Sequence, residues 1–115
     1  MAKQIEGVGP EAETVTNEKG GRQSRTVGAF HLIGGKSLFR LAGVLEYGAT
    51  KYKVNNWRLI SYEDHLNHAL QHLAALLAGD RQDDHLGHAF CRLMMAIETE
   101  DPEWDPLAIR EGKRS

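Results

Sequence analysis

Histidines recur at helical spacing in two stretches of this 115-residue chain. Residues 64–73 read DHLNHALQHL and residues 84–93 read DHLGHAFCRL, and the two stretches match at six of ten positions. At ~100° per residue, each stretch would place three basic side chains within about 60° of one another on a helix. Such histidines exchange protons near neutral pH or bind a metal, or else they only hydrogen-bond inside a helical bundle. The six side chains are His65, His68, His72, His85, His88 and Arg92.

Carboxylates accompany the second stretch. Asp83 and Asp84 directly precede His85 and could hold a hard divalent cation through oxygen ligands. Asp64 and Asp84 each begin one of the stretches, and the alternative role for both is helix capping, which suits the helix dipole. The sequence leaves both interpretations open.

Three helices are predicted to position these side chains. Helix A covers about residues 38–47, which a serine precedes and a glycine follows. Helix B begins at a variant capping box in residues 61–64 and ends at Gly79. Helix C covers about residues 84–98 and ends where two prolines stop it. No stretch is convincing as a strand, and the predicted fold class is therefore all-α.

Helices B and C are predicted to form an antiparallel hairpin. Their connection, residues 79–83, is only five residues long, which is too short for any other arrangement. Both helices carry an apolar stripe at helical spacing, and we expect these stripes to form the core with the histidines at its edge. The stripe residues are Leu66, Leu70, Leu73, Leu77, Leu86, Phe90, Leu93 and Ile97.

The hairpin limits which histidines can meet. In the expected register, His72 approaches His88 and Arg92. His65 lies ~20 Å from His85 along the axis, at ~1.5 Å per residue. One site in one chain therefore cannot use all five histidines, although a dimer could bring distant members together.

Composition and charge narrow the class of protein. Fourteen Lys and Arg against sixteen Asp and Glu give a net charge of −2 and a pI near 6.3, which argues against nucleic-acid binding. The single cysteine, Cys91, excludes a disulfide framework and fits a reducing compartment. No stretch approaches the ~18–20 apolar residues of a membrane span, and the N-terminus lacks the apolar core of a signal peptide. We expect a cytoplasmic protein that binds neither nucleic acid nor membrane.

The chain is predicted to consist of an arm and one domain. Residues 1–18 lack apolar periodicity and are rich in Gly, Glu and Thr, which predicts a flexible arm. Residues 19–115 form the single domain. A domain this small buries only about 60–65% of its unfolded surface, and helix A cannot cover both apolar stripes. We therefore expect a homodimer or homotetramer.

Three stretches occur in a recognisable order: YGATKYKVNNW at 47–57, QHLAALLAGD at 71–80 and DHLGHAFCRLMMAIE at 84–98. In this order and spacing the chain resembles the phage dATP/dGTP diphosphohydrolase family, which is MazG-like and includes MazZ. The resemblance covers about residues 19–98. Its most specific element is G-A-x-K-Y-x-x-x-N-W, formed by Gly48, Ala49, Lys51, Tyr52, Asn56 and Trp57.

The resemblance implies a MazG-like helical bundle that hydrolyses purine deoxynucleoside triphosphates (dGTP, dATP) to the monophosphate and pyrophosphate. It also implies Mg²⁺ or Mn²⁺ as cofactor, and a role in phage nucleotide metabolism in which diaminopurine replaces adenine. The superfamily's acidic ExxE and ExxD motifs are missing: where Glu-Leu-Gly-Asp is expected, residues 85–88 read His-Leu-Gly-His. The candidate metal ligands are therefore His68, His72, Asp84, His85, His88 and Glu46.

We place the metal and phosphate centre between the end of helix B and the first turns of helix C. His72, His88 and Asp84 are the candidate catalytic residues. The 47–57 loop would supply a phosphate counter-charge and aromatic rings that stack on a purine, unless its lysine is solvated and its tryptophan only packs on helix B. The candidate substrate-binding residues are Lys51, Tyr52, Asn56, Trp57, Arg25, Lys36 and Arg92.

Two other functions compete with this one. The missing acidic motifs favour a non-catalytic helical module that binds a nucleotide or a protein partner, whereas the retained 47–57 loop favours an enzyme. An HD-type triphosphohydrolase needs adjacent His-Asp, but the chain has Asp-His at 64–65 and 84–85. Pyrophosphate release from dGTP distinguishes the three, because an HD-type enzyme releases tripolyphosphate.

Overall fold

A computed structural model describes residues 7–101, and the chain divides into two compact units between residues 35 and 36. The first unit contains a two-stranded antiparallel sheet of β1 (Thr14–Thr16) and β2 (Arg22–Ser24). Asn17 closes the turn, because its Oδ1 accepts a hydrogen bond from the Gly21 amide at 2.8 Å. A 3₁₀ turn follows at Phe30–Leu32.

The prediction that the chain contains no strand is wrong. Each strand is three residues long and exposed throughout. Thr-Val-Thr of β1 alternates only once and Arg-Gln-Ser of β2 has no apolar residue, and both are shorter than the ~4–8 residues over which alternation identifies a strand in a sequence. Gly20 lies in the turn with a φ of 85°, a left-handed conformation that glycine adopts without strain. β1 lies within residues 1–18, for which we expected a flexible arm.

Three helices form the second unit. They are α1 (Gly35–Lys51), α2 (Tyr62–Leu77) and α3 (His85–Thr99), with a 3₁₀ turn at Asn56–Leu59 before α2. Apart from the small sheet of the first unit, the described fold is all-α, as predicted.

The helix bounds follow their capping signals. Ser61 caps α2, since its Oγ accepts from the Asp64 amide at 3.2 Å, and Asp84 caps α3 by accepting from the Gly87 amide at 3.0 Å. Both predicted starts are correct within a residue. α1 begins three residues before the predicted 38–47 and ends four residues after it. It continues past residue 47 because Gly48 does not stop it: a glycine inside a helix costs only about 1 kcal/mol.

α2 and α3 form the predicted antiparallel hairpin. His65 near the start of α2 contacts Arg92 in α3, and His72 later in α2 contacts His85 at the start of α3. The two helices therefore run in opposite directions. Small side chains line the interface and let the helices approach closely. The buried residues of the two helices are His65, Ala69, His85, Gly87, Ala89, Cys91 and Ala96.

The expected arrangement of leucine and histidine stripes is reversed. Histidines, alanines and a cysteine lie between α2 and α3, whereas the apolar stripes are mostly exposed, up to 89% at Leu77. Periodicity identified both stripes, but it does not tell which of two adjacent stripes faces the neighbouring helix. The other exposed stripe residues are Leu70, Leu86, Phe90, Leu93 and Ile97.

α1 contacts the hairpin through long side chains. Arg40 binds Asp84, and the Tyr47 ring meets the His88 ring edge-on at 6.4 Å between centroids. Much of α1 is exposed, including Phe39. Within residues 7–101, no helix has the length and apolar character needed to cross a membrane.

Candidate functional site

A carboxylate and two imidazoles form a chain of hydrogen bonds at the closed end of the hairpin. Asp80 Oδ2 lies 2.5 Å from His85 Nε2, and His85 Nδ1 lies 3.0 Å from His72 Nδ1. The carboxylate can only accept, so His85 carries a proton on Nε2. A neutral His85 then accepts from the Nδ1–H of His72. This arrangement puts the proton of His72 on Nδ1 and leaves its Nε2 lone pair able to take a proton.

The charge states of these groups favour metal binding. The hydrogen bond from His85 is the largest cause that lowers the pKa of Asp80, so this carboxylate is ionised at neutral pH. Burial, followed by the neighbouring His88, lowers the pKa of His72 and keeps it neutral. Neutral imidazoles and ionised carboxylates are the forms that bind metals.

His88 and Asp83 lie on the other side of His72. The His72 and His88 rings stack at 5.1 Å between centroids, and His88 Nε2 is 3.4 Å from Asp83 Oδ1. His72, Asp83 and His85 each offer one ligand atom, and these atoms all lie within 4.8 Å of one another. Ligand nitrogens about 2.0–2.1 Å from one ion are themselves about 3 Å apart, close to the spacing of the two Nδ1 atoms. The two imidazoles have a spacing that a divalent cation can bridge, with Asp83 near enough to become a third ligand. A cation bound by both Nδ1 atoms would displace the proton that they share.

The two neighbouring carboxylates, Asp83 and Asp84, have different partners. Asp84 binds Arg40 through both oxygens, at 2.5 and 3.2 Å, and also caps α3. The Arg40 hydrogen bond is the main cause that lowers the pKa of Asp84 to about 2. The carboxylate grouped with the histidines is Asp83, whereas the sequence predicted Asp84 as the ligand and catalytic acid.

A cavity of about 720 Å³ adjoins the histidines. Its lining includes His72, Asp83 and His88 as well as the apolar side chains of Ile60 and Met95. Residues 47–57 supply much of its wall, and the first five of them belong to the end of α1 rather than to a loop. The predicted site residues that line it are Lys51, Tyr52, Asn56, Trp57, His68, His72, His88 and Arg92.

The aromatic residues of the loop differ in how much ring they offer. The Arg58 guanidinium covers one face of Trp57 at 4.3 Å from the ring centroid, and the His65 ring meets Trp57 edge-on. Tyr52 is 55% exposed and has Lys51 Nζ at 5.3 Å from its ring centroid. A hydrogen bond with Tyr52 is the main cause that raises the pKa of Lys51, which keeps this amine charged.

Five of the candidate residues do not line this cavity. Arg25 belongs to the first unit and forms an exposed ion pair with Glu13 at 3.4 Å. Lys36 and Glu46 are exposed positions of α1. Asp84 and His85 also lie outside the lining, although His85 touches it through His72.

Sequence reasoning missed two contributors: Asp80 as the partner of His85, and His65 as the partner of Arg92. It named Asp83 with Asp84 as a possible cation ligand but placed only Asp84 at the site. The internal repeat contained a usable signal. Positions 65 and 85 are equivalent, as are positions 72 and 92, so the contacts His65–Arg92 and His72–His85 are the same contact made twice.

Comparison with protein families identifies a match over most of the chain. The family model described as dATP/dGTP diphosphohydrolase, N-terminal, matches residues 17–105. Neither a curated protein nor a solved structure matches the chain significantly.

Proposed function

Because the chain belongs to the dATP/dGTP diphosphohydrolase, N-terminal, family, we propose that it is a metal-dependent hydrolase of purine deoxynucleoside triphosphates. Its products would be the nucleoside monophosphate and pyrophosphate. The observation that carries the proposal is one cavity that joins a metal-type cluster (His72, Asp83) to cations and aromatic rings. A triphosphate needs the first two kinds of group, and a purine needs the third.

We propose that His72, Asp83 and His85 hold the cation. Two imidazoles and a carboxylate suit Mn²⁺, and Mg²⁺ would rely more on the carboxylate and water. When bound, the ion would activate water and neutralise charge on the phosphates. Asp80 would fix the orientation of His85, since a carboxylate bonded to the second nitrogen of a ligating histidine sets its tautomer.

His88 is the proposed proton acceptor. Its Nε2 faces Asp83, so a neutral His88 that donates from Nε2 keeps a lone pair on Nδ1. The water oxygen would attack the α-phosphorus while its proton passes to His88, and the bond to the bridging oxygen between the α- and β-phosphates would break. Pyrophosphate leaves as an anion, which Lys51 and Arg92 on the cavity wall can neutralise.

The base would lie against residues 52–57 and the apolar side chains of the cavity lining. Tyr52 has the more open ring, while Trp57 already packs against Arg58 and His65. Asn56 offers an amide donor and acceptor for the edge of a purine. On the family resemblance we place the reaction in phage nucleotide metabolism, in the diaminopurine pathway.

Product analysis tests the proposal. The protein is incubated with dGTP or dATP and Mn²⁺ or Mg²⁺, with dCTP as the control nucleotide, and the phosphates are separated by ion exchange. We expect equal amounts of monophosphate and pyrophosphate from the purine nucleotides. Tripolyphosphate would instead identify HD-type chemistry. Binding of dGTP without turnover would support the non-catalytic module, which the missing acidic motifs favour.

A further inference from the structure

His65 is a completely buried polar side chain, with an exposure of 0%. It lies on α2, and both ring nitrogens have partners on other elements. Nε2 is 2.9 Å from the Trp57 carbonyl oxygen in the 3₁₀ turn, and Nδ1 is 3.1 Å from Arg92 Nη1 on α3. One ring therefore connects three elements of the second unit.

The partners determine where the protons lie. A guanidinium can only donate, so His65 Nδ1 accepts and carries no proton. A carbonyl oxygen can only accept, so His65 Nε2 carries the proton and donates it to Trp57. His65 is thus a neutral ring in a single tautomer, held by two directional bonds in a site without water contact.

The repeat shows what is special about this contact. At the equivalent position, His85 meets His72, and that pair lies beside Asp80 and Asp83 as part of the cation cluster. In the His65 contact, Arg92 stands at the position that His72 has in the His85 contact. A fixed positive charge there repels a cation and attracts an anion, so the two equivalent contacts differ in the sign of the ligand that they suit.

Arg92 has donors left over after this contact. A guanidinium carries five N–H groups, and Arg92 is a half-buried residue on the wall of the cavity that His72 also lines. The charge of Arg92 is one of the causes that lower the pKa values of His68 and His72, which places it within electrostatic range of both.

We infer that His65 is a positioning residue: it aims the Arg92 guanidinium at the triphosphate and ties the Trp57 end of the loop to the same point. This inference rests on the proposed function for the identity of the ligand. His65 itself touches no substrate. Its contribution is to remove the rotational freedom of Arg92, since a pre-oriented guanidinium loses less entropy when it binds a phosphate.

The test compares four variants for binding of a non-hydrolysable α,β-methylene analogue of dGTP with Mn²⁺, measured by calorimetry. We expect His65→Leu and Arg92→Gln each to weaken binding roughly tenfold, the low end for a lost hydrogen bond to a charged group. The double variant should be no weaker than Arg92→Gln alone, because His65 acts through Arg92. His65→Gln should stay within about threefold of wild type, since its amide supplies one acceptor and one donor.

Two controls separate positioning from a general structural role. Mn²⁺ affinity, titrated without nucleotide, should be the same in His65→Leu as in wild type. Where His65→Leu does not fold, His65→Asn replaces it, because its shorter amide cannot reach both partners. In steady-state assays with dGTP, His65→Leu (or His65→Asn in its place) should raise KM by a larger factor than it lowers kcat.

The inference is overturned if a folded His65→Leu or His65→Asn protein binds the analogue like wild type. It is also overturned if, in the double variant, the loss of affinity from the His65 substitution adds fully to the loss from Arg92→Gln. Loss of Mn²⁺ and analogue binding together would also overturn it, as a sign of collapse of the hairpin. A wild-type protein that binds the analogue but does not hydrolyse dGTP refutes the proposed catalysis only, and the coupling between His65 and Arg92 still decides the inference.

Discussion

At the scale of single residues, the site depends on which proton each imidazole carries. Asp80 fixes the tautomer of His85, which in turn leaves His72 with a free lone pair. Arg92 fixes the tautomer of His65 in the same way. The same residue type therefore does different work at positions that the sequence makes look alike, because the partner of each ring differs.

His88→Ala should lower the rate of dGTP hydrolysis by about a hundredfold or more, as expected for loss of a group that takes a proton in the transition state. The measurement is kcat for pyrophosphate release at saturating Mn²⁺. His31→Ala is the matched control, because His31 lies in the first unit and outside the cluster. A folded His88→Ala protein with wild-type kcat and Mn²⁺ affinity would show that this histidine is only a packing residue.

Asp84→Asn should lower the free energy of unfolding at neutral pH. The difference in this free energy between Asp84→Asn and wild type should disappear in acid. The pKa of Asp84 is lowered from 3.8 to about 2 in the folded protein, so the folded state binds its proton less readily than the unfolded state. Its stabilising effect is complete above the ordinary value and is lost as the pH falls towards about 2. Urea unfolding of both proteins across this range measures the difference.

Asp84→Ala is the comparison for this experiment. Asparagine still accepts from the Gly87 amide, whereas alanine also removes the cap of α3 and should cost about 1 kcal/mol more. A difference between Asp84→Asn and wild type that stays constant down to the acid limit would contradict the ion pair with Arg40.

At the scale of elements, the start of α3 has its capping side chain, Asp84, packed directly against Gly87 in the first turn. A Cβ at Gly87 would collide with the Asp84 carboxylate, whereas a Cβ at Gly43 in α1 would meet nothing within 4 Å. Gly87→Ala should therefore lower the free energy of unfolding, and Gly43→Ala should raise it by about 0.5–1 kcal/mol. Thermal unfolding of the two variants checks this, and equal effects of the same sign would show that the cap is not held as described.

The helices themselves were predictable, but their rotation was not. Local signals set the starts of α2 and α3, because Ser61 and Asp84 cap amides within three residues. Which stripe faces the neighbouring helix depends on competition between two stripes for one interface, and periodicity carries no information about that choice. The separation of Asp83 from Asp84 depended on Arg40, which is 44 residues away in the sequence from its partner.

At the scale of the whole molecule, α2 and α3 expose several large apolar side chains. Equivalent repeat positions in an antiparallel hairpin lie on the same side, so Leu70 and Leu77 of α2 share a face with Phe90 and Ile97 of α3. Large side chains exposed together in this way mark a protein interface. We propose that a second copy of the chain covers this face, as a homodimer or within a homotetramer.

Sedimentation at micromolar concentration should therefore give a dimer or tetramer, and Leu70→Glu together with Ile97→Glu should shift the protein towards monomer, since burying these charges is costly. Gln71→Glu adds a charge at an exposed polar position of α2 and should leave the assembly intact. A well-folded wild-type monomer under these conditions would contradict the proposed assembly.

The most direct test of the account is a Mn²⁺ titration of dGTP hydrolysis, with metal first removed by a chelator. We predict no pyrophosphate from the stripped protein, recovery of turnover as Mn²⁺ is added, and a requirement for at least about tenfold more Mn²⁺ in Asp83→Asn, which loses an ionised ligand. Asp84→Asn should need no more Mn²⁺ than wild type, because the Asp84 carboxylate of the wild-type protein is bound to Arg40. Turnover at full rate without metal, or an Asp83→Asn protein with a wild-type Mn²⁺ requirement, would contradict the account.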